Sequence, residues 1–390
     1  MPASLAGTIE GPTGTIDLAA VRHNIEVLRR HAGPANVMAV VKADGYGHGA
    51  IDVARASVEA GATELGVATV GEALELRSAG IRAPVLCWLH APDAVFRDAI
   101  AADVRLGISS VEQLRAAVGA ATDTGRRAEI DLKLDTGLNR NGAALTEWPA
   151  LMAEAVDAET AGSITVRGVF SHLACADEPS HPSSVAQRAA FVAGLDAARM
   201  AGLSPPVSHL ANSAATLTRP DARFDLVRAG IAIYGLSPVP ALGTFGLRPA
   251  MTLSAPVIMV KHLRAGDAVS YGHTWTAKQD TTVALLPIGY ADGVPRALSG
   301  RIEVLIDGVR YPAVGTICMD QLVVDLGHNR NAVAVGSEAV LFGGQEPGRP
   351  EQAAPGPAAP TLQEWADLLG TVHYELATGI RGRVERRYIG

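Results

Sequence analysis

Short apolar runs alternate with alanine-rich segments of helical spacing between residues 37 and 236. Each run is five or six residues long and rich in β-branched side chains, and segments such as 71–80 and 110–121 place apolar residues at i, i+3 and i+4. A strand followed by a helix implies parallel neighbours, because the chain must cross back before the next strand begins. Eight such units in about 200 residues predict a closed (β/α)8 barrel rather than an open sheet. The eight runs are 37–41, 65–69, 84–89, 104–109, 130–135, 166–171, 207–211 and 225–230.

The pattern changes after about residue 240, where strand-like runs are separated by turn signals such as Asp307-Gly308. The strongest helical pattern left is 361–370, with Thr361 as N-cap and Glu364 completing a capping box. The Pro-, Gly- and Ala-rich stretch 343–360 is typical of a mobile surface loop. We therefore predict an α/β protein in which a TIM-type barrel, 15–240, precedes a mostly-β domain, 241–390, that also includes an N-terminal strand from 1–14.

Composition narrows the class of protein. With 48% hydrophobic residues, the chain can bury a full core. Its 33 basic and 40 acidic residues are interspersed without a basic stripe, so we expect no nucleic-acid partner. We see no secretory signal and no run of about 18 apolar residues, so we expect no membrane span and a cytoplasmic enzyme. The three cysteines, Cys87, Cys175 and Cys318, fit neither a disulfide framework nor a metal site, and we expect buried, inert thiols.

Polar residues follow the predicted barrel strands at their C-terminal ends, where such barrels carry their active groups. Lys42 follows the first run, and Arg140, His172, Asn212-Ser213 and Arg228 follow or end later ones. Because these ends meet at one mouth, we expect the side chains to converge.

Lys42 is the strongest of these candidates for a catalytic residue. A lysine that continues an apolar strand is desolvated, which lowers its pKa and makes the amine nucleophilic toward an aldehyde. The alternative is a lysine whose stem packs while its ammonium reaches solvent. Three alternating glycines in 45–49 allow close approach of backbone to a ligand, and Tyr46 can donate to a phosphate oxygen. The same glycines are also compatible with a simple flexible turn.

Two further candidates keep an alternative open. Ser213 and the backbone of Gly230 and Ile231 follow the last two strands, where TIM barrels often bind phosphate, but Ser213 could also simply cap a helix. Arg228 in a buried strand needs an acceptor, which could be a ligand ring nitrogen or Asp225 or Asp221. A lone buried histidine such as His172 is more often structural than catalytic.

Together these residues resemble one known family. The chain is similar to bacterial alanine racemases, which are pyridoxal 5′-phosphate enzymes of fold type III, over essentially its whole length. Nine ordered segments carry the resemblance: 39–49, 132–142, 170–177, 209–215, 225–235, 269–275, 287–293, 314–321 and 372–376.

The resemblance implies a role for each matching residue. Lys42 would be the Schiff-base lysine and one catalytic base, and Tyr271, from the partner subunit of a homodimer, the base on the opposite face. Lys133 would match a lysine that several members carry as a carbamate that orients Arg140. Asp320 and Tyr290 would line the substrate entryway. Cofactor contacts would come from Tyr46, His172, Asn212, Ser213, Arg228, Gly230, Ile231 and Tyr374, and substrate contacts from Arg140 and the Met319 backbone N–H.

The implied reaction is the interconversion of L- and D-alanine, supplying D-alanine for peptidoglycan, with pyridoxal phosphate and no metal. One base on each face of Cα fits racemisation, although a tyrosine needs a lowered pKa to serve as one. Arg228 would keep the pyridine nitrogen unprotonated and so limit transamination. The alternatives are a racemase or decarboxylase of the same fold acting on other amino acids, or a non-catalytic pyridoxal-phosphate protein, which would lack the second domain.

Overall fold

A computed structural model describes residues 11–91, 94–343 and 358–390. The chain divides into two compact units, one of residues 19–248 and one of residues 1–18 with 249–390. The eight predicted barrel strands are all present in the first unit. Their bounds are β2 Asn36–Val40, β3 Glu64–Val67, β4 Val85–Cys87, β5 Val104–Ile108, β6 Ala128–Lys133, β7 Ile164–Phe170, β8 Val207–His209 and β9 Leu226–Ala229.

These strands form one parallel sheet in the order β8-β7-β6-β5-β4-β3-β2-β9. The sheet curls into a nearly closed barrel, since two backbone hydrogen bonds link the strands at its ends. The Asp225 N–H donates to Ser208 O at 3.0 Å, and the Arg228 N–H donates to Ala211 O at 2.9 Å. The predicted (β/α)8 fold is therefore confirmed, and the C-terminal ends of all eight strands lie at one mouth.

Helices alternate with the strands of the barrel, and local chemistry sets several of their ends. Thr69 and Glu72 form a reciprocal capping box, and Ser110 and Asn212 each accept a hydrogen bond from a first-turn N–H of the helix they precede. The helices of this unit are α1 Leu18–Ala32, α2 Ala50–Glu59, α3 Val70–Ser78, α4 Arg97–Ala101, α5 Val111–Thr124, α6 Trp148–Thr160, α7 Pro182–Met200 and α8 Ser213–Thr218.

Side chains fill the barrel interior. Met38, Leu86 and Leu226 form a buried cluster on which Trp88 packs. Gly66 makes this packing possible, because a Cβ there would lie 2.8 Å from the Met38 sulfur and the Trp88 ring. The interior is thus a packed core, and its polar groups are confined to specific strands.

The second unit is mostly β, as predicted, and is built on a nine-stranded sheet in the order β11-β14-β17-β16-β15-β18-β10-β1-β19. Strand β1 pairs antiparallel with β10 and parallel with β19, so residues from both ends of the chain share one sheet. Asp307-Gly308 forms the predicted turn between β15 and β16. The strands are β1 Thr13–Asp17, β10 Met251–Pro256, β11 Met259–Leu263, β12 Ala268–Val269, β13 Trp275–Thr276, β14 Thr281–Leu286, β15 Glu303–Ile306, β16 Val309–Val314, β17 Leu322–Gly327, β18 Glu338–Phe342 and β19 Glu385–Ile389.

Helical structure in this unit departs from the prediction in two ways. Helix α9 (Leu362–Leu369) begins where predicted, and Thr361 accepts from the Glu364 N–H at 3.1 Å. The capping box is nevertheless wrong, because the Glu364 carboxylate binds the Arg310 guanidinium instead. A second helix, α10 (His373–Gly379), follows where only a sequence motif was recognised.

Three smaller expectations can be compared with the structure. Residues 344–357, most of the Pro- and Gly-rich stretch, and 1–10 lie outside the described residues. All three cysteines are free. Cys87 is buried, as expected, and this burial raises the pKa of its thiol to about 12. Cys175 and Cys318 are half-buried, so the expectation of buried thiols was wrong for these two. Within the described ranges, no helix is long and apolar enough to cross a membrane.

Candidate active site

Lys42 lies at the barrel mouth, two residues beyond the end of β2. The backbone that follows it is left-handed, with φ of 52° at Ala43, 50° at Asp44, 61° at Gly45 and 52° at Tyr46. Left-handed backbone costs a non-glycine residue about 1–2 kcal/mol, so the surrounding structure must enforce this turn. We call residues 43–46 the left-handed turn.

Glu72 supplies much of that enforcement. Its Oε1 accepts the Ala43 N–H at 2.8 Å, and its Oε2 accepts the N–H of Ala68 at 2.8 Å and of Thr69 at 3.1 Å. One carboxylate at the start of α3 therefore fixes both its own helix and the turn that begins at Lys42. On the other side, Asp44 accepts the Ala50 N–H at 3.0 Å and ties the turn to α2.

The amine of Lys42 is mostly buried, and this burial is the largest cause that lowers its pKa. The positive charge of Arg140 lowers the pKa further, while Glu72 opposes the shift. The direction agrees with the expectation for a nucleophilic lysine.

Tyr46, Ser213 and Gly230 meet beside the last two strands, and we call them the Ser213 cluster. The Ser213 hydroxyl accepts the Gly230 N–H at 2.8 Å and the Ala232 N–H at 3.4 Å. A Cβ on Gly230 would lie 2.4 Å from the Tyr46 hydroxyl, so any side chain there would displace this hydroxyl. Helix capping is the wrong explanation for Ser213, because Asn212 caps α8 by accepting the Ala215 N–H at 3.0 Å.

Arg228 is fully surrounded, and its partners decide between the two explanations offered for it. Asp225 instead accepts the Ser208 N–H, and Asp221 pairs with Arg219, so neither carboxylate binds Arg228. The two Nη atoms donate to the carbonyls of Ser171 at 2.6 Å, His209 at 2.9 Å and Leu210 at 3.2 Å.

The same Nη atoms also contact two imidazole rings, at 3.2 Å from His209 Nδ1 and 3.1 Å from His172 Nδ1. Burial, followed by the charge of Arg228, holds the pKa of His172 well below its ordinary value. His172 is therefore neutral and its Nδ1 accepts from Arg228. The Arg228 Nε–H makes no hydrogen bond with any described residue, so this donor is left for another acceptor.

Lys133 and Arg140 come from the end of β6 and from the loop after it. Lys133 is buried, with Nζ 5.5 Å from the Phe170 ring centroid, and its pKa is lowered to about 8 by burial and then by the charges of Arg228 and Arg140. Arg140 is exposed on a loop that the backbone bridge between Leu134 and Ala143 closes at its base.

Tyr271, Met319 and Tyr290 belong to the second unit and gather around one loop. The Thr316 hydroxyl donates to Tyr271 O at 2.8 Å, and the N–H groups of Tyr290 and Ala291 donate to Cys318 O and Met319 O at 3.1 and 3.0 Å. The side chains of Tyr271, Met319 and Tyr290 are 74%, 52% and 42% exposed. Tyr374 lies on α10, half-buried and stacked on His373.

The structure thus brings Lys42, Tyr46, Lys133, His172, Ser213 and Arg228 to one mouth of the barrel, with Asn212, Gly230 and Ile231 in the backbone around them. Glu72 and His209 were not predicted from the sequence. Glu72 carries the signal T-x-x-E of a capping box, which hides its second role, and His209 ends a short strand without a distinctive motif. Within the described part of the chain, no group of three His, Cys, Asp or Glu side chains is arranged to hold a metal ion.

Comparison with known proteins identifies the family. The family model for the alanine racemase N-terminal domain matches residues 16–238, and that for the C-terminal domain matches residues 250–388. An alanine racemase of Mycolicibacterium vanbaalenii is 56% identical over 97% of this chain and 95% of its own length. An alanine racemase of Mycobacterium tuberculosis is 54% identical over 96% of this chain and 94% of its own.

Solved structures agree. Alanine racemase from Streptomyces lavendulae superposes with a TM-score of 0.92 at 48% identity and covers 98% of each chain. The Bacillus anthracis enzyme with bound L-Ala-P gives a TM-score of 0.87 at 34% identity over 99% of this chain and 96% of its own. The protein with the barrel and mouth described above belongs to the alanine racemase family.

Proposed function

We propose that this chain is an alanine racemase that holds pyridoxal 5′-phosphate at Lys42 and interconverts L- and D-alanine. The observation that carries the proposal is the convergence at one barrel mouth of a lysine with a lowered pKa, the Ser213 cluster and the Arg228 Nε–H, which no described residue accepts. These three groups match the aldehyde, the phosphate and the pyridine nitrogen of that cofactor.

The Ser213 cluster fits a phosphate group. It offers the hydroxyls of Tyr46 and Ser213. The Ser213 oxygen accepts the N–H groups of Gly230 and Ala232, so its own O–H can donate to a phosphate oxygen, and the missing Cβ of Gly230 leaves room beside the Tyr46 hydroxyl. Backbone N–H groups and hydroxyls bind a dianion without a full positive charge. Asn212, Ile231 and Tyr374 would complete these contacts.

The Arg228 Nε–H fits a pyridine nitrogen. An arginine cannot give up its proton readily, so Arg228 would donate a hydrogen bond and leave the ring nitrogen unprotonated. When bound, pyridoxal phosphate supplies a conjugated ring that takes up the electron pair left by the Cα proton. Arg228 would hold that ring in its less electron-withdrawing form, which favours proton return over side reactions.

Proton transfer needs one base on each face of Cα. Lys42 Nζ is suited to the first, since its lowered pKa makes the unprotonated amine, the form that accepts a proton, more accessible than in an ordinary lysine. We assign the second to Tyr271 of the partner subunit. The exposure of Tyr271 and Met319 in a single copy supports this assignment, because a second copy would cover these large side chains.

The substrate carboxylate would meet Arg140 and the backbone N–H of the partner subunit's Met319. The carbonyl of the Cys318–Met319 peptide is held by the Tyr290 N–H at 3.1 Å. Because a trans peptide points its C=O and N–H in opposite directions, the Met319 N–H faces away and makes no hydrogen bond with any described residue. A carbamate on Lys133 would add a negative charge beside Arg140 and orient it.

Substrate identity is tested by coupling D-amino acid oxidase to reactions on L-alanine, L-serine and L-lysine. We expect product from L-alanine well above the other two. Comparable rates would favour a racemase of broader specificity, and no rate on any of them would favour a non-catalytic pyridoxal-phosphate protein. The second unit argues against that last class.

The lysine and the dimer are tested separately. Lys42→Ala should remove the visible absorbance of the bound cofactor and the activity, whereas Lys278→Ala, at an exposed bend, should change neither. Dilution to a monomeric state, followed by analytical ultracentrifugation, should abolish activity, and full activity in a monomer would contradict a shared site. We place the enzyme in the cytoplasm, where D-alanine would be supplied for peptidoglycan, and cell fractionation checks that location.

A further inference from the structure

Five charged or titratable side chains form a continuous path below the barrel mouth, and we call them the buried polar chain. It runs from Arg228 on β9 through His209 on β8, Asp131 on β6 and Arg105 on β5 to Glu64 on β3. Glu64 is largely buried, and the other four are 5% exposed or less. The buried polar chain therefore lies in the barrel interior rather than at its surface.

The contacts along the path are direct. Arg228 Nη1 lies 3.2 Å from His209 Nδ1, and His209 Nε2 lies 2.9 Å from Asp131 Oδ2. The other carboxylate oxygen of Asp131 is 3.2 Å from Arg105 Nε, and Arg105 Nη2 binds the Glu64 carboxylate. The barrel makes room for this path at Gly168, where a Cβ would lie 2.9 Å from Asp131 Oδ2.

Asp131 is ionised and His209 is neutral. Burial opposes ionisation of Asp131, but the Arg105 charge and the His209 hydrogen bond outweigh it and hold the carboxyl pKa below its ordinary value. Burial lowers the pKa of His209 to about 4, although Asp131 opposes the shift. A neutral imidazole has one N–H, and a carboxylate can only accept, so the proton is on Nε2.

The Nδ1 lone pair of His209 is therefore directed at Arg228. Phe170 stacks on the imidazole with the centroids 4.9 Å apart and the planes 10° from parallel, and this stacking resists rotation of the ring. With Nδ1 protonated instead, two N–H groups would oppose each other 3.2 Å apart and displace the guanidinium.

We propose that Asp131 is a positioning residue of the active site, which fixes the His209 tautomer and thereby holds Arg228 in the orientation that presents Nε–H to the mouth. Arg105, itself held by Glu64, forms an ion pair with the remaining oxygen of Asp131, so that Oδ2 is left to His209. The proposal about the tautomer concerns the protein alone, while its effect on the cofactor rests on the proposed function.

Asp131→Asn tests the proposal because it changes charge and hydrogen-bond direction but not size. Arg105 requires an oxygen, so the amide NH₂ must turn toward His209 and force the proton to Nδ1. Glu129→Gln is the matched control: it makes the same change two residues away on β6, at a carboxylate that is 58% exposed. Both variants are compared with the wild-type holoenzyme.

The first measurement is long-range ¹H–¹⁵N NMR of histidine-labelled enzyme, with the His209 signal assigned from its loss in His209→Gln. We expect a protonated Nε2 in wild type and Glu129→Gln and a protonated Nδ1 in Asp131→Asn. The second is titration of each apoenzyme with pyridoxal phosphate, for which we expect at least tenfold weaker binding in Asp131→Asn alone. A lower kcat with little change in KM should accompany it.

Two results would overturn the proposal: a protonated Nδ1 in the wild-type enzyme, or an Asp131→Asn variant that binds the cofactor within twofold of the control. Should wild type show the expected tautomer but bind no pyridoxal phosphate, the proposed function fails and the tautomer assignment stands. If Asp131→Asn does not fold, Gly168→Ala displaces the carboxylate without changing any charge, and the same two measurements apply to it.

Discussion

At Gly230 we expect the absence of a side chain, rather than any charge or hydrogen bond, to determine how well pyridoxal phosphate binds. Replacement of Gly230 by alanine would place a methyl group 2.4 Å from the Tyr46 hydroxyl, which must then leave the Ser213 cluster. Overpacking of this kind costs about 1–3 kcal/mol, so we expect pyridoxal phosphate to bind roughly tenfold more weakly in Gly230→Ala. Gly119→Ala, on helix α5 with open space around it, should leave binding unchanged. Titration of the two apoenzymes measures the difference.

The buried ammonium group of Lys133 destabilises the folded chain, and we expect a rise in pH to remove this effect. The pKa of Lys133 in the folded chain is about 8, against about 10.4 in a solvated lysine, so between these values the unfolded chain binds the extra proton. Stability therefore rises with pH across this window, and below pH 8 the buried ammonium costs about 3 kcal/mol.

Lys133→Met should remove that cost while keeping the contact with Phe170. In CO₂-free buffer, which prevents carbamate formation, we expect the variant to unfold at higher urea concentration than wild type at pH 7. The difference should shrink as pH rises from 8 to 10.5. A difference that stays constant over this range would mean that the ammonium is not the source of the cost.

The left-handed turn is the element whose geometry depends most on a distant side chain. Glu72→Gln keeps the size of the side chain but turns one acceptor oxygen into a donor that faces a backbone N–H. An opposed pair of donors costs about 1–3 kcal/mol, and we expect both lower stability and weaker cofactor binding. Thermal unfolding and apoenzyme titration measure the two effects. Glu75→Gln, exposed on the same helix, is the control and should behave as wild type.

The elements show where sequence reasoning succeeded. Periodicity predicted all eight barrel strands, because a buried parallel strand is a continuous apolar run whatever surrounds it. The left-handed turn could not be predicted, since it includes the non-glycine residues Ala43, Asp44 and Tyr46 and is held partly by Glu72, which lies 29 residues from Ala43. Glu364 shows the same limit, because a capping box was expected and a long-range partner, Arg310, took the carboxylate.

The candidate site also contains residues that could be predicted from the sequence and residues that could not. Lys42, Ser213 and Arg228 could be selected because strand ends meet at one mouth, a rule of topology. Their partners could not, because Asp131, His209 and Arg228 lie up to 97 positions apart and meet only inside the closed barrel. An alternative such as an Arg228–Asp225 pair was excluded only by the structure, because the positions of two residues along the sequence do not give the distance between their side chains.

At the scale of the whole molecule, strand β1 has an importance out of proportion to its length. It lies between β10 and β19, with Thr15 opposite Thr252 on one side and Arg387 on the other. Thr15→Pro removes a backbone donor within a paired strand and leaves an acceptor without a partner, which we expect to cost about 1–3 kcal/mol in the second unit. Thr15→Ala should have a small effect. Hydrogen exchange measured separately for 249–390 and 19–248 should show the loss confined to the former.

The pairing of β1 with β19 also sets an order in time. Thr13 faces Glu385, so the first paired strand to leave the ribosome waits for one of the last. At roughly 5–20 residues per second, that wait is on the order of 20–75 s, during which the barrel can fold as a unit and β1 can pair with β10 alone. Synthesis therefore leaves one edge of β1 unpaired from the time β10 is made until β19 emerges, and during that interval the open edge is exposed to pairing with another chain.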